Sequence, residues 1–330
     1  MADRYLVSEV QQLGVESVPG TAVTPTIQLN GMSIALDTAI EFDEFGPAGQ
    51  LTNTIVAPRQ EWASGALSGF PTYTELPYAL SNLLGAANIT TPSGATDARR
   101  WLWEPDESTP WTPKTWTVRR GVSGDTAEEA AYVLLSGLNL SFSRTATPEL
   151  GGDLFGRRLD YTATLASTGV TSTELVPILP SQVDIYLDST SGNLGNTQLT
   201  RDFSFAWSIS GLFDMIWPLN SSLNSFAAHS VLKPDISATL MMGNDSAGRA
   251  LVTNMRAGST VFVRLQATGP QIESGQNYQL TIDTALKVRS APSRGDQNGL
   301  STLEWGFRNV YDPTWTKWVS IELITDLAAL

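Results

Sequence analysis

Alternation of apolar and polar residues with period two recurs along this chain and predicts a strand-rich fold. The clearest module lies at 235–270. Ile236, Ala238, Leu240 and Met242 alternate with smaller or polar neighbours, the period of a half-buried strand. Asp245 or Ser246 can accept a hydrogen bond from the first free helical amides, so a helix starts there. Leu251, Val252 and Met255 share its apolar face, and Gly258 tolerates the positive φ that ends it. Val261, Val263 and Leu265 then resume period two.

The same order appears earlier in the chain. Residues 60–69 read as a strand, and Thr72 or Thr74 caps a helix running to about Leu84. Pro77 falls in its first turn, where a missing N–H costs nothing; Leu76, Leu80, Leu83 and Leu84 form its stripe, and Gly85 ends it. Residues 116–119 (WTVR) match 261–264 (VFVR), 132–144 parallel 278–289, and 158–167 parallel 301–310. These matches predict a weak internal duplication, each copy holding two sheets' worth of strands and one helix.

The remaining segments fit around the two copies. Residues 1–26 form an arm whose 14–25 stretch has turn residues and no periodicity, and such an arm is either disordered or tied down by a partner. Residues 28–45 read as one or two strands around the hairpin signal Asn30-Gly31, and 46–59 read as a loop. The first repeat spans 27–170, with an insertion at about 86–114 that carries Trp101, Trp103 and Trp111 and is too long for a plain connection. A linker, 171–182, contains Pro177 and Pro180, and the second repeat spans 183–330. Within it Phe203, Phe205, Trp207 and Ile209 share one strand face, and 212–233 is an apolar loop of the kind that marks an interface.

Composition narrows the function classes. Hydrophobic residues make up 42% and charged residues 16%, so the chain folds but carries a weakly charged surface. A net charge of −13 argues against gripping a nucleic-acid backbone, which takes clustered Lys and Arg. The lack of cysteine removes disulfides and thiolate metal sites. The first residues show no signal-peptide pattern and no run is apolar enough to span a bilayer, so a soluble chain with no membrane partner is expected.

Catalytic chemistry is sparse. His229 is the sole histidine, has no carboxylate nearby in sequence, and reads as a loop contact. Asp37-Thr38-Ala39 and Asp283-Thr284-Ala285 faintly resemble the Asp-Thr-Gly loop of pepsin-like acid proteases, but alanine replaces the glycine both times. The two aspartates also fall in non-equivalent strands, whereas a carboxylate dyad needs its groups almost in contact. Ten tryptophans raise the alternative of a carbohydrate-binding β protein, although they scatter over both halves. No catalytic, cofactor or metal residue is assigned.

Several stretches in order carry a likeness that covers nearly the full chain: 14–22 (GVESVPGTA), Leu179-Pro180 before 183–188 (VDIYLD), 203–207 (FSFAW), 217–222 (WPLNSS) leading to His229, and 255–258 (MRAG). Together with the duplication, they make the chain resemble a tail tube protein, or major tail protein, of long-tailed bacteriophages. That resemblance implies a mainly β fold: two tandem tail-tube units, each a β-sandwich or partial barrel of two antiparallel sheets with one flanking helix. It further implies a structural virion protein, made in the bacterial host cytoplasm, that assembles into stacked rings. Two units per chain imply three chains per ring with pseudo-six-fold symmetry. The implied partners are other copies of itself, the tape measure protein and the tail terminator and tip proteins. Double-stranded DNA would pass through the lumen without specific binding. Loops before the third strand of each repeat would reach the adjoining ring, which makes Phe45, Leu51, Phe213, Met215, Ile216, Trp217 and Phe226 the inter-ring candidates.

Overall fold

The computed structural model describes residues 8–220, 225–290 and 292–330. It is mainly β with antiparallel sheets, as the alternation predicts. The first half comprises β1 (Glu9–Val15), β2 (Ile27–Gln28), β3 (Met32–Phe45), β4 (Ile55–Gly69), α1 (Leu76–Leu84), β5 (Asn88–Thr90), β6 (Arg99–Trp103), β7 (Trp116–Val122), β8 (Thr126–Leu135), β9 (Leu138–Ser143), β10 (Ala146–Gly156), β11 (Asp160–Thr164) and β12 (Thr171–Ser172). The second comprises β13 (Val183–Asp188), β14 (Asp202–Ser210), β15 (Phe213–Ile216), β16 (Ala228–Val231), β17 (Asp235–Gly243), α2 (Ser246–Ala257), β18 (Thr260–Glu273), β19 (Gln276–Val288), β20 (Ser293–Gln297), β21 (Leu300–Asn309) and β22 (Val319–Thr325).

One long sheet runs through both halves in the order β3-β4-β10-β9-β14-β17-β21-β20, antiparallel throughout. The separate two-stranded β15–β16 and two further large sheets complete the fold. One has the order β12-β2-β1-β7-β8-β11; the other has the order β13-β18-β19-β22-β6-β5. Each merges with the long sheet at a corner, where the end of β8 pairs with β10 and the end of β19 with β21. Buried side chains from all three large sheets belong to a single cluster, which includes Leu13 and Trp116 beside Ile34 and Leu67, and Val263 and Ile282 beside Leu240 and Trp305. Burying one face of the long strands in this way is what the period-two pattern specifies; the short edge strands β5, β12 and β20 bury no residue.

The pairing scheme occurs twice. β1-β7-β8-β11 and β3-β4-β10-β9 in the first half answer β13-β18-β19-β22 and β14-β17-β21-β20 in the second. The correspondence corrects two sequence matches: β21, which covers most of 301–310, answers β10 and not 158–167, and β19, which covers 278–288, answers β8 (126–135) and not 132–144, which runs on through β9. Residues 158–167 hold β11, the counterpart of β22.

Both helices stop at the predicted glycines, Gly85 and Gly258, and α2 starts at Asp245 as predicted, but the N-cap of α1 is Glu75 and not Thr72 or Thr74. In α1, Glu75 takes the N-cap position and Thr72 Oγ1 accepts from the Glu75 amide, with Pro77 in the first turn. In α2 the Asp245 carboxylate accepts from Gly248 N at 3.0 Å, and Gly258 closes the helix at φ 62°. All nine residues of α1 are buried, not only its leucine stripe. The reason is the 86–114 segment, which folds over the end of the helix: Trp111 Nε1 donates to Leu83 O and Trp103 Nε1 to Gly85 O, satisfying terminal helical carbonyls. The same segment adds β6 and β5 to the sheet edge at β22, so the insertion of the first half completes a sheet of the second. Glu273 fastens it further, accepting from Thr96 N, Thr96 Oγ1, Asp97 N and Ala98 N at 2.7–3.1 Å. These donors hold its carboxyl down at about 2.

Two boundary readings change. The described part of the arm is not loose: residues 9–15 are β1, paired along its length with β7. Asn30-Gly31 does not turn a hairpin; it forms a corner whose amides, Asn30 N and Gly31 N, donate to the buried Glu75 carboxylate, and β2 pairs with β1 and β12 instead of β3.

Candidate assembly surface

The long sheet has one buried face and one open face. Ile34, Leu36, Leu140, Phe142, Phe205, Trp207, Leu240 and Trp305 point into the core. Their strand neighbours on the other side are small or polar: Ser33 and Ala35, Ser64 and Ala66, Asn139 and Ser141, Ala206 and Ser208, Ser237 and Thr239. Asp37, Glu149, Asp153, Asp235 and Glu304 add carboxylates to this face, against which stands Arg308, itself paired to Asp235 at 2.8 Å. Met241, between Ser204 and Glu304, and the half-buried Trp62 at the β4 end are its apolar members. A surface otherwise of serine, alanine and carboxylate offers little apolar anchorage and repels polyanions.

The sheet's two outermost strands, β3 and β20, have no strand on their far sides among the described residues. Unpaired edges of this kind template pairing with another chain. Side chains cover the start of the β3 edge: Met32 N donates to Glu75 Oε2 at 2.7 Å and Ile34 N to Gln11 Oε1 at 2.6 Å. Those two amides point away from β4, so Leu36 N and Thr38 N, of the same parity, point outward too.

The β3–β4 hairpin projects beyond the core. Phe42, Phe45, Leu51, Ile55 and Val56 are each more than half exposed around its tip, and the fully exposed Leu51 sits in the turn. The counterpart insertion between β14 and β17 behaves differently. Its β15–β16 hairpin packs down, so Phe213 and Phe226 are core residues and not free contact residues as expected. Phe226 stacks among Tyr132, Phe155 and Trp217, and Trp217 and Met215 are half-buried against the same cluster, Trp217 meeting Trp62 edge-on. Arg157 ties the segment down through Phe226 O and Ala227 O while its guanidinium lies 4.9 Å over the Tyr132 ring. Of the seven candidates, Phe45, Leu51 and Ile216 are exposed. The signal that separates the two loops is charge: three acidic residues, Glu41, Asp43 and Glu44, flank the first hairpin tip, whereas 212–217 carries Asp214 alone.

The residues considered for other chemistry are scattered. Asp37 lies on the open face of β3, whereas Asp283 lies on β19 in a different sheet, gripped by Arg264 at 2.7 and 2.8 Å. No tryptophan of the ten is exposed; Trp101, Trp103, Trp116, Trp207 and Trp305 are fully buried, so the tryptophans serve the core and form no exposed platform. His229 sits on β16 against Phe213, with Nδ1 3.1 Å from Tyr132 OH, and burial lowers its pKa. Among the described residues no cluster of three or more His, Cys, Asp or Glu side chains could hold a metal ion, and no helix is long and apolar enough to cross a membrane. Against known proteins, no family model matches the chain and no curated protein matches it.

Proposed function

We propose that this protein is a structural subunit that polymerises into a hollow tube, with the long sheet as its inner wall, and that the tube is the tail tube of a long-tailed bacteriophage. The observation that carries the reading is the internal joint between β9 and β14. There, four strands of the first half continue into the four equivalent strands of the second, so one copy of the pairing scheme is built to extend the next. A chain whose own halves join in this way, and which ends in two open edges, extends naturally by the same joint to another chain.

Eight strands per chain set the size. Two chains would give a sixteen-stranded barrel, roughly the count at which barrels first hold an aqueous channel. Three give twenty-four strands and a wider bore lined by the serine, alanine and carboxylate face. That face suits a conduit, because its Arg308 is already paired to Asp235 and duplex DNA finds few cations to release counterions against. The exposed tip of the β3–β4 hairpin would be covered by the next ring in the stack. The tape measure and terminator proteins are the implied further partners.

Negative-stain microscopy of the purified protein tests this reading. Rings or tubes with an axial hole are expected; a protein that stays monomeric at high concentration contradicts it.

A further inference from the structure

The joint between copies can be specified residue by residue, because the chain already contains one example of it. The two halves are aligned by their corners. Leu135 ends β8 and pairs with Leu154; Val288 ends β19 and pairs with Phe307; all four side chains are buried. Leu154 therefore answers Phe307. Leu154 pairs with Gly65, and Phe307 with Ala238, so Gly65 answers Ala238. Gly65 pairs with Leu36, and Ala238 with Trp207, so Leu36 answers Trp207. On the other side of β10, Leu150 pairs with Leu140; at the same offset on β21, Leu303 pairs with Arg294, so Leu140 answers Arg294. Within the chain Trp207 stands opposite Leu140.

We infer that β20 of one copy pairs antiparallel with β3 of the next, with Arg294 opposite Leu36, Ser293 opposite Asp37 and Gly295 opposite Ala35. This rests on the tube reading above and adds the surface and its register. Backbone parity agrees. Leu36 N points away from β4, as does Ile34 N, so Leu36 and Arg294 form the hydrogen-bonded pair and the two flanking pairs are the closer, non-hydrogen-bonded kind. The flanking pairs lie on the open face of the sheet, where the side chains are small and exposed. In register with them Asp296 stands opposite Ile34, whose amide Gln11 occupies in the free chain. Gln11 must release that amide for the joint to reach its full length.

Cysteine cross-linking tests the register, since the chain contains no cysteine of its own. The pair Asp37→Cys with Ser293→Cys brings two exposed, non-hydrogen-bonded positions together, the geometry in which a disulfide closes across strands. Under mild oxidation it is expected to form intermolecular dimers and higher ladders up to the closed ring. The slipped pair Ala35→Cys with Ser293→Cys is expected to give none. Ladders from the slipped pair, or rings visible by microscopy with no cross-link from the matched pair, would overturn the register and leave the tube reading standing. Monomers by microscopy and no cross-link from either pair would overturn both.

Discussion

Trp207 on β14 stands opposite Leu140 on β9, and that pair sits in the middle of the joint between the two copies of the pairing scheme in the long sheet. Both side chains are buried, at 1% exposure each, so the joint is sealed by core packing as well as by its backbone ladder. The equivalent positions at the open ends, Leu36 and Arg294, differ in kind: Leu36 is already buried, and Arg294 is exposed. An internal joint can be apolar because it never dissociates. An edge that waits in water for a partner must be polar on at least one side, and β20 (SRGDQ) meets that need.

The hairpin tip is expected to govern stacking. Phe45→Ser with Leu51→Ser removes two exposed side chains that touch no core, so thermal stability should stay within about 0.5 kcal/mol of the parent. Microscopy should show separate rings in place of tubes, since buried aromatic and aliphatic anchors dominate such contacts. Tubes of normal length from this variant would remove the hairpin from the stacking surface.

Phe213 has the opposite character. At 5% exposure, with its ring against His229, it is a core residue. Phe213→Ser should cost about 4 kcal/mol in chemical denaturation, the range for deleting a buried phenylalanine. A loss under about 1 kcal/mol would mean that β15–β16 is not packed as described.

Acid should loosen the 86–114 segment. Glu273 carries a pKa of about 2 in the folded chain against an ordinary 4.5, because four donors favour its carboxylate. A depressed carboxyl pKa means that the unfolded or released state binds the proton first. The stabilisation is therefore complete above pH 4.5 and is lost as pH falls towards 2. Amide exchange within 96–98, taken relative to the intrinsic rate at each pH, should rise over that window in the parent. In Glu273→Gln it should be high at neutral pH and nearly flat with pH. A parent whose exchange there is flat with pH would contradict the clamp.

The open face should resist nucleic acid by charge alone. Asp37→Lys, Asp153→Lys and Glu304→Lys, made together, reverse three of its carboxylates at exposed positions. Assembled parent protein should not retain duplex DNA at about 0.1 M salt, where screening reaches about 10 Å. The triple variant should retain it, and the binding should fall steeply with added salt. Equal retention by the two would mean that this face does not line the bore.

Gln11 should slow assembly. Gln11→Ala frees the Ile34 amide that the glutamine covers. The lag before rings appear in light scattering should then shorten. The variant also removes the hydrogen bond that Gln11 Nε2 donates to Ser33 Oγ, but that bond is exposed and contributes little to stability. An unchanged or longer lag would mean that the β3 edge opens without hindrance.

Much of the fold was legible because it rests on local rules. Alternation marks β17 and β18, and Asp245 and Gly258 mark the limits of α2, since caps act through the nearest few amides. Long-range choices were not legible. Asn30-Gly31 carries a hairpin signal, yet its amides are claimed by Glu75, forty-four residues further along the chain. Residues 9–15 look like part of an irregular arm, yet β7, about a hundred residues away, supplies their ladder. The apolar loop 212–233 suggests an interface by composition; only the packing of Phe226 against Tyr132 and Phe155, and of Phe213 against His229, reveals that these two side chains belong to the protein's own core. The candidate surface was half legible: Phe45 and Leu51 stand out beside acidic neighbours, but a sheet edge has no sequence signature apart from its polarity.

The most direct measurement of the central claim is the mass of the closed ring, taken on single rings by native mass spectrometry or mass photometry. Three chains per ring are predicted, because each chain supplies two copies of the four-strand wall and its internal joint stands in for one of the six in the ring. A ring of six chains would contradict that equivalence, and a population of monomers alone would contradict the tube.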